Sequence, residues 1–275
     1  MMAPRLCLED GAFSYDGRRA IFSALNLSLH SGEIFCLLGP NGCGKTTLLR
    51  CLNGLLPLAT GKVVLDGQGL DSLNEMERAR RMAFVFQEEN LLFSYSVLEI
   101  VRMGRAPHLG FFASPSKKDT QIAEAALETV GLADLREKPY TEISGGERQL
   151  ALIARALAQE PEILLLDEPT SHLDFGNQML ILETIHRLSE ARNLSVIMAT
   201  HFPEHALLVS NKVALMKAGS FVAEGQADRV ITAAALKDLY GVAVEVVSVT
   251  NGDGATVKAI VPVLRESSGV EPQAA

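Results

Sequence analysis

The sequence predicts an α/β fold: a core of buried strands, an antiparallel β subdomain at the N-terminal end, and an inserted α-helical subdomain. Three observations predict it. The short apolar runs in EIFCLLG and EILLLDEP end in glycine or in carboxylates, as strands buried on both faces do. The N-terminal stretch instead alternates apolar and polar residues between turn residues. From Ser94 to about residue 157 the spacing of apolar residues becomes helical.

Taken in order, RLCLEDGAFSY and IFSALNLSLHSGE read as strands and hairpins, and EIFCLLG as a buried strand. TTLLRCLNGLL places apolar residues at 48, 52 and 55 on one helical face, and Gly54 is its expected terminator. GKVVLDG and MAFVFQ read as further strands. SVLEIVRMGR, DTQIAEAALETVG and GERQLALIARALAQE read as helices, with APHLGFFASPSKK as a surface loop among them. Strands return in EILLLDEP and LSVIMATH, then in the hairpin VALMKAGSFVAEG. The polar tail RESSGVEPQAA is expected to fray. The implied division is a core of 1–93 with 158–245, a helical subdomain of 94–157, and a C-terminal strand and tail of 246–275.

Composition bounds the function. The 275 residues, 48% of them apolar, can bury a substantial core. A net charge of −8 argues against a nucleic-acid partner, which calls for a basic surface. No apolar run approaches the roughly 18 residues that span a bilayer. The opening MMAPRLCLEDG carries no hydrophobic signal region, so a cytoplasmic chain is expected. Cys7, Cys36, Cys43 and Cys51 show no CxxC spacing and read as reduced thiols.

The chemistry begins at GPNGCGKT, which fits GxxxxGK[ST] with a strand before it and a helix after it. Gly39, Pro40, Asn41, Gly42, Cys43 and Gly44 would let backbone N–H groups curl around phosphate oxygens at a helix N-terminus. Lys45 would reach the β- and γ-phosphates of ATP, and the Thr46 hydroxyl would ligate Mg²⁺, with Thr47 beside it. Cys43 occupies a variable position and reads as filler. ILLLDEP supplies the other half, with carboxylates only at the C-terminal end of a buried strand. Asp167 would hold Mg²⁺ through water, and Glu168 would polarise the attacking water. A helix-capping acidic pair is the bland alternative.

ISGGERQ poses a separate question. Ser144 and Glu147 form a capping box, S-x-x-E, but a cap does not need Gly145 and Gly146. Each glycine costs about 1 kcal/mol against alanine in a helix and allows close backbone approach to an anion. The chain already cradles its own ATP at Gly39–Thr46. The economical reading is that this second helix start meets the γ-phosphate held by another copy, so that two copies sandwich two ATPs.

GPNGCGKT, Gln87, ISGGERQ, ILLLDEP, SHLD and His201, in this order, resemble the ATP-binding cassette of ABC transporters, and the resemblance extends to about Gly241. It implies a P-loop NTPase (ABC ATPase) core. It also implies that Tyr15 stacks on adenine, that Gln87 ligates Mg²⁺ and links the site to the helical subdomain, that Asp174 lies at a dimer seam, and that His201 contacts the γ-phosphate. Two positions depart from the family pattern: Ile143 stands where leucine is commoner, and Phe86 stands where proline usually precedes Gln87. VRMGRAPHLGFFASPSKKD and LKDLYGVAVEVV further resemble the iron(III)-siderophore, haem and vitamin B12 importer group; molybdate importers carry similar sequences. The resemblance implies a homodimeric, Mg²⁺-dependent ATPase on the cytoplasmic face of the membrane. Its partners would be a polytopic permease and, indirectly, an extracytoplasmic substrate-binding protein.

Other readings stay beside this one. A soluble ABC ATPase of repair or translation would carry a long coiled coil or tandem cassettes; one of cofactor assembly would not. A monomeric P-loop kinase leaves ISGGERQ unexplained. HFPEH formally fits the H-x-x-E-H zinc pattern, but Pro203 opposes the continuous helix that pattern needs. His205 then reads as a surface residue.

Overall fold

The computed structural model describes residues 3–86, 95–110, 112–250, 252, 254 and 256–263. It opens with β1 (Leu6–Phe13), β2 (Phe22–Leu29) and β3 (Ile34–Leu38), followed by helix α1 (Lys45–Leu52). Strands β4 (Thr60–Leu65) and β5 (Gln68–Gly69), helix α2 (Glu75–Arg81) and strand β6 (Met82–Val85) complete the first part. Helices α3 (Val97–Arg102), α4 (Lys117–Thr129) and α5 (Gly145–Ala158) come next. The chain then alternates β7 (Ile163–Asp167), α6 (Phe175–Arg192), β8 (Ser195–Thr200), α7 (Pro203–Val209), β9 (Lys212–Lys217) and β10 (Ser220–Gln226). It closes with α8 (Ala227–Val230), α9 (Ala233–Tyr240), β11 (Val244–Thr250) and β12 (Thr256–Pro262).

Two sheets organise these elements. β2-β1-β4-β5 form an antiparallel sheet, and β10-β9-β3-β8-β7-β6 a second sheet that is parallel from β9 to β6. The central strands β3, β7 and β8 of the second sheet are buried on both faces, which is why they read as continuous apolar runs. Phe35 and Leu37 of β3, with Ile163 and Leu165 of β7, pack with α1 and the antiparallel sheet. Their alternates Ile34, Cys36, Leu38, Leu164 and Leu166 share the other core with α3, α4, α5 and α6. α1 is therefore clamped between two sheets, and its Leu48, Leu49 and Leu52 are fully buried. Leu55, expected on the same face, lies beyond the helix and is exposed, because Asn53 caps α1 and Gly54 turns the chain at φ 76°.

The three inserted helices pack on one another, and each begins with a side-chain cap. Ser96, Ser116 and Ser144 each form a capping box with the acidic residue three positions on. The expected loop after α3 is helical at its start: Met103–His108 forms a 3₁₀ turn. Buried Arg105 holds that turn, donating to Asp119 Oδ1 at 3.1 Å, Ala158 O at 2.7 Å and Glu160 Oε2 at 2.7 Å. The C-terminal segment forms a two-stranded hairpin, β11 with β12. The polar tail lies outside the described residues.

Candidate active site

Three strand ends converge. The register sets Leu38 of β3 opposite Thr200 of β8, and Asp167 of β7 opposite Ala199. Backbone bonds carry the ladder one residue further: Gly39 N–H donates to Thr200 O at 3.3 Å, and Glu168 N–H to Ala199 O at 3.0 Å. Gly39, Glu168 and His201 thus become neighbours at the C-terminal edge of the sheet, where open α/β folds bind ligands.

The loop from Gly39 into α1 depends on its glycines. Gly42 and Gly44 have φ of 78° and 110°, in the left-handed region that glycine tolerates. A Cβ on Gly39 would collide with Met216 O. Buried Cys43 accepts a bond from Gly219 N–H at 3.1 Å, which ties the loop to the β9–β10 turn. Gly44 caps α1 with no side-chain acceptor, so the first N–H groups of this helix are aimed outward as donors.

Around this loop the charged groups are wired together. Lys45 is buried, and its Nζ donates to Gly39 O at 2.7 Å and Pro40 O at 3.2 Å. The same nitrogen lies 3.3 Å from Glu168 Oε1, and Glu168 Oε2 meets His201 Nδ1 at 2.8 Å. Glu168 adopts φ 50°, a conformation costing a non-glycine residue of order 1–3 kcal/mol. Its bond to Ala199 holds it there. Thr46 Oγ1 donates to Asp167 Oδ1 at 2.9 Å. Burial raises the Asp167 carboxyl above the usual range, and the Thr46 hydroxyl opposes that shift. Tyr15 stands edge-on to Phe13, its hydroxyl 3.2 Å from Thr47 Oγ1 and most of its ring exposed.

A cleft of about 570 Å³ gathers Asn41, Gly42, Gly44, Lys45, Thr46, Thr47, Glu168 and His201. Ile21, Ser171, His172 and Phe202 also line it. None of these four has a role read from the sequence, although Ser171 and His172 open the SHLD stretch and Phe202 lies within HFPEH. Ser171 Oγ is buried there with no hydrogen-bond partner among the described residues.

The second glycine-bearing helix start is built differently. Ser144 caps α5: its Oγ accepts from Glu147 N–H at 3.3 Å, while Glu147 Oε2 accepts from Ser144 N–H at 2.7 Å. Asp174 caps the neighbouring α6, accepting from Asn177 N–H at 2.9 Å and from its Nδ2 at 2.8 Å. The Asn177 amide so placed occupies the space that a Cβ on Gly146 would need. At Gly145 a Cβ would meet Leu173 Cδ2 at an ordinary 3.5 Å. Ser144–Glu147 and Asp174 are thus brought together at adjoining helix starts, apart from the residues that line the cleft. Gln87 lies outside the described residues.

The ABC transporter family profile matches residues 22–171, more than half of the chain. The chain belongs to the ABC transporter family. This cassette is 38% identical to the molybdate import ATP-binding protein of Haemophilus influenzae, over 87% of the chain and 89% of the relative. It is 37% identical to the iron(3+)-hydroxamate import ATP-binding protein of Bacillus subtilis, over 84% and 86%. A solved inward-facing ABC transporter, described as of the metal-chelate type, aligns with a TM-score of 0.85 at 34% identity, covering 95% of this chain and 98% of its own. The fold is that of a P-loop NTPase, and the cassette is an ATPase.

One sequence expectation about the cassette is corrected by the structure. His205 is not a surface residue. It is only 4% exposed, its Nδ1 lies 3.2 Å from Thr170 Oγ1, and its ring packs 4.7 Å from that of Phe202. Burial lowers its pKa to about 4, helped by the nearby charge of His201, so the ring is neutral. The signal was available: His205, Ala206 and Val209 share the buried face of α7, whose first turn contains Pro203. Phe86, standing where proline is usual, sets its ring 4.4 Å from that of Phe84, tilted by 39°. The four cysteines are free thiols, and burial pushes Cys51 up to about 12, where it is inert at neutral pH.

Proposed function

We propose that this cassette is the ATP-hydrolysing motor of an importer, coupling nucleotide binding and hydrolysis to uptake of an iron(III) chelate or related metal chelate. The observation that carries the ATPase part is the chain of contacts from buried Lys45 through buried Glu168 to His201 at one sheet edge. The likeness to chelate and oxyanion import proteins carries the transport part.

Each residue has a defined task. The N–H groups from Asn41 to Thr47 and the Lys45 ammonium bind the phosphates. Tyr15 offers its exposed ring to adenine; stacking of this kind contributes roughly 1–3 kcal/mol. Glu168 orients the attacking water and accepts its proton, while His201 fixes the carboxylate and faces the γ-phosphate. Thr46 and Asp167 present hard oxygens 2.9 Å apart, one on a carboxylate whose burial favours a cation beside it, and this donor set suits Mg²⁺. Gln87 would complete that set. Mg²⁺ held by these residues would supply charge neutralisation at the transferring phosphoryl group.

The cassette works as a pair of copies. Ser144, Gly145 and Gly146, with Glu147 and Asp174 beside them, close on the ATP held by the phosphate loop of the other copy. Closure drives a polytopic permease, fed by an extracytoplasmic binding protein, and the motor sits peripherally on the cytoplasmic face of the membrane. No helix among the described residues is long and apolar enough to cross a membrane.

Molybdate as cargo is the second reading, favoured by the Haemophilus relative. Deleting the gene and measuring uptake of labelled ferric siderophores, haem, cobalamin and molybdate tests both. Loss of one cargo, restored by the wild-type gene and not by Lys45→Ala, is the expected result. Normal uptake of every cargo, with redundant importers also removed, would overturn the importer assignment.

A further inference from the structure

His201 is held from three sides, and one hold comes from a distant part of the chain. Its Nδ1 faces Glu168 at 2.8 Å, and its ring lies 4.0 Å from that of Phe202. Phe202 N–H is tied to Thr200 Oγ1 at 3.1 Å. The remaining hold falls on the main chain: Tyr240 donates its hydroxyl to His201 O at 2.9 Å. Tyr240 is the last residue of α9, a helix capped by Thr232 and stopped by Gly241 in the left-handed conformation. Leu236 and Leu239 bury one face of α9, and Lys217 of β9 secures the helix through Asp238 O and Oδ1, both at 2.7 Å.

We propose that Tyr240 is a positioning residue of the ATPase site: its hydroxyl fixes the peptide after β8, and so the direction from which the His201 ring meets Glu168. The loop at 201–202 is short, lying between the end of β8 and the start of α7, and a carbonyl there has no ladder partner of its own. Without the hydroxyl, that peptide can rotate, carrying the imidazole away from the carboxylate. The tyrosine is suited to the task because burial raises its phenol well above the ordinary range, keeping it a neutral donor throughout the working pH. The final turn of α9 thereby becomes part of the hydrolytic machinery, although it is not among the residues that line the cleft.

The inference rests on reading His201 and Glu168 as the hydrolytic pair, so His201→Ala is assayed alongside as a test of that reading. Tyr240→Phe keeps the ring and removes one hydroxyl. In Mg-ATP turnover by the full chain, it is expected to lower kcat by about three- to tenfold, with KM and nucleotide affinity unchanged. Lys217→Ala removes the other tie of α9 while sparing the hydroxyl, and should turn over like wild type. A wild-type kcat in Tyr240→Phe, while His201→Ala loses activity, would overturn the positioning role. Equal losses in Tyr240→Phe and Lys217→Ala would overturn it too, by assigning the effect to α9 as a whole. So would a Tyr240→Phe chain that melts far below wild type, since the hydroxyl would then serve the fold. Full activity in His201→Ala would instead remove the pair on which the inference stands.

Discussion

The glycine-bearing helix starts of α1 and α5 differ in what fills them. At α1 the glycines are required by the chain itself: Gly42 and Gly44 have positive φ, and Gly39 is pressed against Met216 O. Its N–H groups carry no side-chain cap, and buried charge is wired around them. At α5 the start is already capped by Ser144 and Glu147, and no glycine there has positive φ. Gly146 still has a reason within the chain, the Asn177 amide that Asp174 holds against it. Gly145 has none, because a methyl group would fit in ordinary contact. Two adjacent glycines that look alike in sequence thus have separate explanations. Only Gly145 points outside the chain.

The largest effect that would sharpen this contrast is at the first site. Glu168→Gln should bind ATP but lose roughly 10²–10⁴ in turnover, because the amide cannot take a proton from water. Near-wild-type turnover would remove Glu168 from the base role. Next comes Gly145→Ala. Misplacing a reacting group by an ångström costs on the order of a hundredfold, and turnover should fall by about that much. The fold should be untouched, or steadier by up to about 1 kcal/mol, since alanine favours helix. A loss of melting temperature in Gly145→Ala would break the comparison by showing a role within the chain.

A third prediction concerns pH. His205 is neutral when buried, with a pKa of about 4, whereas an unfolded histidine titrates near 6.5. Between those values the unfolded chain binds the additional proton, so stability is fully present above about 6.5 and falls as pH drops toward 4. His205→Gln should flatten that part of the stability curve, and denaturant midpoints at several pH values would show it. The smallest effect is expected at Ser144→Ala. Loss of its cap costs about 1 kcal/mol of stability, and any further loss in turnover measures what the hydroxyl does for a second copy.

Much of this was legible in the sequence, for physical reasons. The buried strands β3, β7 and β8 read clearly because burial on both faces forces continuous apolar runs, and GPNGCGKT read clearly because positive φ leaves little choice but glycine. What sequence could not supply were contacts made by generic residues across long separations. Tyr240 looks like any helix-end aromatic until α9 folds back on the His201 loop. Asn177 gives no hint that it explains Gly146. His205 sits in a formal metal pattern, while the apolar spacing of α7 is what places it in the core. The helical turn over 106–108 was hidden by Pro107, which reads as loop punctuation although Arg105 anchors the segment in the core.

The proposed role of the α5 start is to serve the phosphate loop of another copy. Light scattering on Glu168→Gln, with and without Mg-ATP, tests it most directly when repeated on the Glu168→Gln, Gly145→Ala double variant. The single variant should be a monomer that becomes a dimer on ATP, and the double variant a monomer in both conditions. A single variant that stays monomeric, or a double variant that dimerises as readily as the single, would contradict that role.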